Sequence, residues 1–244
     1  MILLLDAGNS RIKWGVRQGG RWLARGVCPT REVARLGADL EPFPCAQALL
    51  CCVADGITRS TLDALLAARV EQLVWLSALA DAHGVCNRYQ PPASLGADRY
   101  AALVAARHRE LGGCVVVTVG TALTVDALTG AGVFLGGVIA PGPELMRAAL
   151  LRGTAGVREL SGDVLDFPVD TGAAVSSGIA LAQVGVVTGM RARLLRQGRG
   201  PVTILLSGGA RAVMAGLLEP PVVEADDLVL EGLLWIARER EWDV

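Results

Sequence analysis

Lysine is almost missing from this 244-residue chain: of 23 basic residues only Lys13 is a lysine, and the rest are arginines. With a formal net charge of −1 and no long basic block, the chain lacks the cationic excess that sequence-independent nucleic-acid binding needs. Histidine is nearly absent too, and His83 and His108 lie too far apart to share a metal-ligand spacing. The six cysteines, at 28, 45, 51, 52, 86 and 114, form no CxxC pair, so a zinc site or disulfide framework is not expected. Cys51-Cys52 sits inside the apolar stretch ALLCCVA, which points to buried free thiols. No apolar run reaches the ~18 to 20 residues of a bilayer span. Nor does the N-terminus show a basic leader with a small-residue cleavage site. These absences predict a cytoplasmic protein with neither nucleic acid nor membrane among its partners. What is abundant is apolar: 52% of residues are hydrophobic against 19% charged, enough for a well-buried core in one large domain or two ordinary lobes.

Hydrophobic periodicity alternates between strand and helix. Short Val/Leu/Ile runs predict strands at 2–6, 12–16, 47–54, 72–76, 114–119, 123–128, 133–139 and 202–207. Helical spacing predicts helices at 58–69, 97–110, 143–152, 172–196, 208–216 and 226–239. The charge-poor run GAAVSSGIALAQVGVVTGM at 172–190 fits either a buried or an interface helix.

One internal similarity organises the chain. LLLDAGNSRIKWGV, residues 3–16, superposes on VVVTVGTALTVDAL, residues 115–128, with Gly8 and Gly120 in register. Each is an apolar strand, then Asp6 or Thr118, a glycine turn and a second strand, which suggests duplicated halves at 1–112 and 113–244 with a cleft between them. A glycine between strands lets backbone N–H groups approach an anion, and Asn9, Ser10, Thr121 and Thr124 add donors. Asp6, at a strand end, is placed to hold a divalent cation beside phosphates, and Lys13 supplies a point charge for their oxygens. The alternative for either turn alone is an ordinary hairpin, whose Asp and Asn favour the turn. Two in register favour a nucleotide-phosphate site. Neither a GxxxxGK[ST] loop nor a GxGxxG after a strand is present, which excludes the P-loop and the dinucleotide fingerprint.

Other glycine-rich strand ends are GGVIAPG at 136–142 and TILLSGGAR at 203–211. In the latter, Gly208-Gly209 is expected to open a helix whose free N–H groups could face adenosine or an α-phosphate; taken singly, either strand end reads more readily as a structural turn. In YQPPASLGADRYAALVAAR, residues 89–107, a helix begins near Asp98. Asp98 is either a helix-start aspartate or a general base for a hydroxyl attacking a γ-phosphate. Arg99 is either a carboxylate clamp or a surface ion pair.

Together these motifs resemble the type III pantothenate kinases, of the actin-like superfamily that includes acetate and sugar kinases, Hsp70 and actin. The family's D-x-G-N-[TS]-x-x-K is met by Asp6, Gly8, Asn9, Ser10 and Lys13, and its G-x-D-R by Gly96-Ala97-Asp98-Arg99, with Tyr89 upstream. Its G-T-A-x-T-x-D appears as Gly120-Thr121-Ala122-Leu123-Thr124-Val125-Asp126, and its G-G-x-I-x-P-G is whole at 136–142. LLRGTAG looks like the family's T-A segment, which would place Thr154 near substrate, and DLVLEGL at 227–233 is similar to the family's C-terminal helix. The resemblance implies an α/β fold of two similar actin-like (ribonuclease H-like) lobes with a central cleft. It implies transfer of the ATP γ-phosphoryl to the 4′-hydroxyl of pantothenate, the first step of coenzyme A synthesis. Asp98 would be the base, and Arg99 would bind the pantothenate carboxylate, with Tyr89, Gly96, Ala97 and Thr154 lining the substrate pocket. Asp6 would help hold Mg²⁺. Gly8, Asn9, Ser10, Lys13, Gly120, Thr121, Gly208 and Gly209 would line the ATP region. A homodimer with the pantothenate pocket at its interface is implied as well.

One departure concerns a monovalent cation, K⁺ or NH₄⁺. Many members carry an aspartate at the position of Thr118, a neutral and poorer ligand, so a strict potassium requirement is not expected here; Asp126 remains to assist phosphate or metal placement. Two rival functions stand beside the kinase: a non-catalytic nucleotide-binding regulator of the same fold, and another actin-like sugar or acetate kinase. A retained Asp98 disfavours the first, and the compact length with paired motifs the second.

Overall fold

Apolar residues on both faces of Ile2–Ala7 (β1) make it a central strand, since only a strand covered on two sides reads as a continuous hydrophobic run. A computed structural model describes residues 1–154, 161–198 and 200–242, and places β1 in the middle of a five-stranded sheet. Around it lie Arg11–Gln18 (β2), Arg21–Pro29 (β3), Gln47–Cys52 (β4) and Gln72–Trp75 (β5), in the order β3-β2-β1-β4-β5. The first three run antiparallel as a meander, and β4 and β5 continue parallel to β1. Leu3 and Leu5 share a buried cluster with Ile12, Trp14 and Leu50 and with Leu62 and Leu66 of Gly56–Ala67 (α2). A 3-10 turn at Thr30–Arg35 and Leu36–Leu40 (α1) follow β3, and Asp81–Ala82 (β6) pairs with Val85–Asn87 (β7) as a hairpin.

The second half repeats the pattern. Gly113–Val119 (β8), Ala122–Leu128 (β9) and Val133–Pro141 (β10) form the meander. Val202–Ser207 (β11) and Val222–Glu224 (β12) then add parallel to β8. The order β12-β11-β8-β9-β10 therefore matches that of the first sheet, strand for strand. Val115, Val117 and Val125 pack with Leu206 and with Val187 of Thr171–Leu195 (α5). Pro143–Gly153 (α4) precedes α5. The duplication expected from the two glycine turns is thus present, and each half carries the α/β, ribonuclease H-like topology that the family resemblance implies.

The chain resolves into two compact units, Met1–Arg109 with Asp227–Val244, and Glu110–Asp226. The expected division at 112/113 therefore differs at the C-terminus, where Leu228–Glu239 (α6) returns to the first unit. The physical reason is a close helix contact. Ala97–His108 (α3) is buried from Arg99 through Ala106, and a Cβ at Gly232 of α6 would overlap the Ala101 carbonyl. Any larger residue at 232 would push α6 off α3.

Three sequence expectations change. Residues 208–216 form no α-helix; after Gly208-Gly209 only two single 3-10 turns appear, Arg211–Val213 and Ala215–Leu217. Strands β3, β6, β7 and β12 were not anticipated. Helix α5 is, by length and composition, long and apolar enough to cross a membrane, contrary to the expectation that no such run exists. Its neutral Gly, Ser, Thr and Gln residues hide that length from a search for unbroken apolar runs. It serves here as a core helix, packed on β8, β9 and β11, with Gln183 donating to the Pro141 carbonyl at 2.8 Å.

Candidate active site

Parallel strands leave their carboxyl ends at one edge of a sheet, and each unit collects its polar turns there. In the first unit β1 ends at Asp6-Ala7 and turns through Gly8-Asn9-Ser10 into β2, where Lys13 lies directly opposite Asp6. Thr30 fixes this turn: its hydroxyl donates to the Gly8 carbonyl at 2.7 Å and its N–H to the Ser10 carbonyl at 3.1 Å. On the neighbouring β4, the Cys51 thiol donates to Asp6 Oδ1 at 3.3 Å. Burial pushes the Asp6 carboxyl up to about 7; Asp98 and Asp227 add repulsion, and Cys51 and Lys13 oppose it. Burial is the main cause and the repulsion from Asp98 and Asp227 adds to it, so a cation beside Asp6 would relieve its buried charge. Among the described residues no cluster of three acidic, histidine or cysteine side chains could hold a metal without oxygens from phosphate or water.

Asp98 stands in the first turn of α3, and its Oδ1 accepts the Arg99 N–H at 2.8 Å. Burial raises its pKa, partly offset by the Arg99 amide and guanidinium. Gly96 is required beside it, because a Cβ there would stand 2.7 Å from the Asp98 carboxylate. Asp98 thus stands at the helix start, as the first of its two readings expects, and within electrostatic reach of Asp6. Arg99 is no surface pair. Its residue is only 7% exposed, and Nη1 donates to the Tyr89 hydroxyl at 3.0 Å, with the guanidinium 5.4 Å from the ring centroid. Tyr89, Gly96, Ala97, Asp98 and Arg99 thus form one group.

In the second unit β8, β10 and β11 run toward the same edge. Their ends bring Gly120-Thr121, Gly142 and Gly208-Gly209 together. The Gly142 N–H donates to the Thr121 carbonyl, and the Ala210 N–H to the Val119 carbonyl, both at 3.0 Å. A Cβ at Gly142 would overlap the Gly120 and Thr121 backbone, and one at Gly208, whose φ is +100°, would overlap that of Val119. Gly208 is therefore part of a close-packed turn, and no helix N-terminus forms there. Thr118 is flanked across the sheet by Thr124 and Ser207, so its strand neighbours offer hydroxyls and no carboxylate. Asp126 is buried, 1% exposed, two residues further along β9. Thr154, at the C-cap of α4, bonds the Leu150 carbonyl at 2.8 Å and lines an apolar cavity of about 1080 Å³ with Met146, Val169 and Ile179. The rest of its motif, Ala155-Gly156, lies outside the described residues.

Comparison with known proteins bears on both fold and family. A crystal structure from Campylobacter jejuni, named for the Baf family of transcriptional activators, superposes with a TM-score of 0.64 at 19% identity, over 98% of each chain. MreB5 of Spiroplasma citri bound to AMPPNP gives 0.52 at 11% identity, covering 98% of this chain and 96% of that one. These likenesses show the actin-like fold alone. The family model described as type III pantothenate kinase matches residues 2–193. The chain belongs to the type III pantothenate kinase family. It is 41% identical to the type III pantothenate kinase of Aromatoleum aromaticum over 98% of both chains, and 42% identical to that of Chromobacterium violaceum over 97% and 99%.

Within this pantothenate kinase family member, three residues near the site escaped the sequence analysis. Thr30, at the start of the 3-10 turn after β3, contacts the first turn, and Cys51 on β4 contacts Asp6; nothing local marks either. The third, Asp227, receives Lys13 Nζ at 3.0 Å from 214 residues away. The register of the repeat also differs in one detail. Gly8 and Gly120 correspond, but the second loop is one residue shorter, so Thr124 and not Val125 faces Thr118 as Lys13 faces Asp6.

Proposed function

We infer that this chain phosphorylates pantothenate at its 4′-hydroxyl with ATP, giving 4′-phosphopantothenate in the first step of coenzyme A synthesis. The observation that carries the reading is Asp98: a half-buried carboxyl of raised pKa, next in sequence to buried Arg99 with its Tyr89 partner and in electrostatic contact with Asp6. Asp98 takes the proton of the acceptor hydroxyl as the phosphoryl group transfers. Arg99, held in place by Tyr89, offers its guanidinium fork to the pantothenate carboxylate. Lys13 and the Asn9 and Ser10 amides meet the phosphate oxygens, the Gly8 N–H being given to the Arg11 carbonyl within the turn, and Gly120-Thr121 and Gly208-Gly209 give the nucleotide a close backbone approach. Asp6 would hold Mg²⁺, which when bound neutralises charge on the phosphates.

A homodimer belongs to the same reading. Phe167 and Val169 are 90% and 95% exposed near the apolar cavity that Thr154 lines, and a second copy would cover them. Six free cysteines suit a reducing, cytoplasmic setting. No strict monovalent requirement is expected, because Thr118 has only Thr124 and Ser207 beside it on the sheet.

A coupled ADP-release assay with ATP, Mg²⁺ and pantothenate tests the reading. Pantothenate-dependent turnover is expected, and Arg99→Ala should weaken pantothenate far more than an analogue without the carboxylate. Retained ATP binding with no turnover on pantothenate would instead favour a nucleotide-binding regulator.

A further inference from the structure

Asp227 occupies the N-cap of α6, where an aspartate ordinarily accepts a helix N–H and so stabilises the helix. Elsewhere this chain uses such caps. Asp55 accepts from the Thr58 N–H and Asp170 from the Ala173 N–H, both at 2.8 Å. Asp227 makes no cap bond. Its Oδ1 faces Lys13 Nζ at 3.0 Å, and its Oδ2 faces Arg25 Nη1 at 3.5 Å. The side chains of Lys13 and Asp227 are 27% and 26% exposed, sheltered but open to a ligand.

A lysine stem has several rotatable bonds, and a free side chain loses that rotamer entropy on gripping a phosphate. A carboxylate that already orients the ammonium removes part of that cost, and leaves two of its three N–H donors for phosphate oxygens. Arg25 steadies Asp227 from the other side. It lies on β3 opposite Gly15, two residues from Lys13's own partner Val27.

We propose that Asp227 is a positioning residue for phosphoryl transfer: it holds the Lys13 ammonium beside the Gly8-Asn9-Ser10 turn, so that ATP meets it already oriented. The inference rests on the reading of that turn as a phosphate site. Its sign is diagnostic. Coulomb's law alone says that deleting a carboxylate near phosphates tightens their binding; loss of a positioning contact weakens it.

The test is a calorimetric titration of the full chain with MgATP, without acceptor, for wild type, Asp227→Asn, Lys13→Met and the double variant. Asp227→Asn should bind MgATP about fivefold more weakly, and Asp227→Glu should recover part of the loss. The double variant should bind no more weakly than Lys13→Met, because Asp227 acts only through Lys13. In turnover, Asp227→Asn should raise the KM for ATP and leave that for pantothenate unchanged. Since Asp227 caps nothing, its unfolding midpoint should stay within about 4 °C of wild type. Unchanged or tighter MgATP binding by Asp227→Asn, or losses that multiply in the double variant, overturns the proposal. Wild-type affinity in Lys13→Met overturns the phosphate reading and the proposal with it. The expected binding pattern without turnover on pantothenate supports the role of Asp227 and refutes only the choice of acceptor.

Discussion

Asp6 faces Lys13 across one hairpin, and at the matching place in the other unit Thr118 faces Thr124. The strand order and the glycine turn are shared, yet the chemistry is not. Around the first turn stand Asp98, Asp227, Cys51 and a buried arginine; around the second stand hydroxyls and glycines pressed backbone to backbone. The duplicated scaffold supplies two turns of one shape. The charged groups lie at the first turn, the one to which the proposed function assigns proton transfer and Mg²⁺. The second turn keeps the close approach that needs glycine.

That contrast breaks most readily at Asp98. Asp98→Asn should lower kcat by about 10³-fold with MgATP affinity nearly unchanged. Should Thr121→Ala in the second unit lower kcat as far, the assignment of proton transfer to the first unit fails.

Asp6 sharpens the contrast through pH. Its carboxyl, raised to about 7 from 3.8, binds a proton in the folded chain that the unfolded chain has already lost. The contribution of this group to stability is therefore full below pH 3.8 and is lost as pH rises toward 7. Asp6→Asn should raise the unfolding midpoint of the ligand-free protein at pH 8 and change it little at pH 4, while it abolishes the Mg²⁺ response of turnover. A lower midpoint at pH 8 would show that the ionised carboxylate is well accommodated. In the wild type, the Mg²⁺ concentration for half-maximal activity should climb as pH falls through 7, where protons compete for Asp6.

Glycine substitutions should sort the units in the opposite order. Gly208→Ala meets both a positive φ and the Val119 backbone, so denaturant unfolding should show a loss of about 2 to 3 kcal/mol. Gly8→Ala meets only the Arg11 carbonyl at 3.2 Å and should lose under about 1 kcal/mol. Equal losses would mean the second turn has room that its contacts deny. Smallest of all is the expected effect of potassium. A titration at constant ionic strength should change turnover by less than about twofold, and a steep rise would show that hydroxyls and carbonyls suffice for a cation site.

Most of this was legible in the chain because its signals are local. β1, β4, β8 and β11 are unbroken apolar runs, and Asp6, Lys13 and Asp98 sit at fixed spacings from glycines. β3 was missed because it lies at the sheet edge, where RWLARGVCP alternates weakly and carries arginines outward. The helix expected at 208–216 had suitable apolar spacing, but Gly208 is committed to a left-handed turn against Val119, and tertiary contact overrides propensity. Asp227 was visible only as the first letter of DLVLEGL, because its meaning depends on a residue at the far end of the chain.

The return of α6 to the first unit also bears on how the protein is made. A ribosome delivers β1 through α3 early, but the face of α3 that receives Gly232 stays uncovered until α6 has been made. Glu110–Asp226, being continuous, needs nothing that comes later. Synthesis at about 5 to 20 residues per second leaves ample time for that stretch to fold while the older part waits. The half encoded first is the half completed last, and a message cut short before Leu228 yields a chain whose finished portion is its second unit.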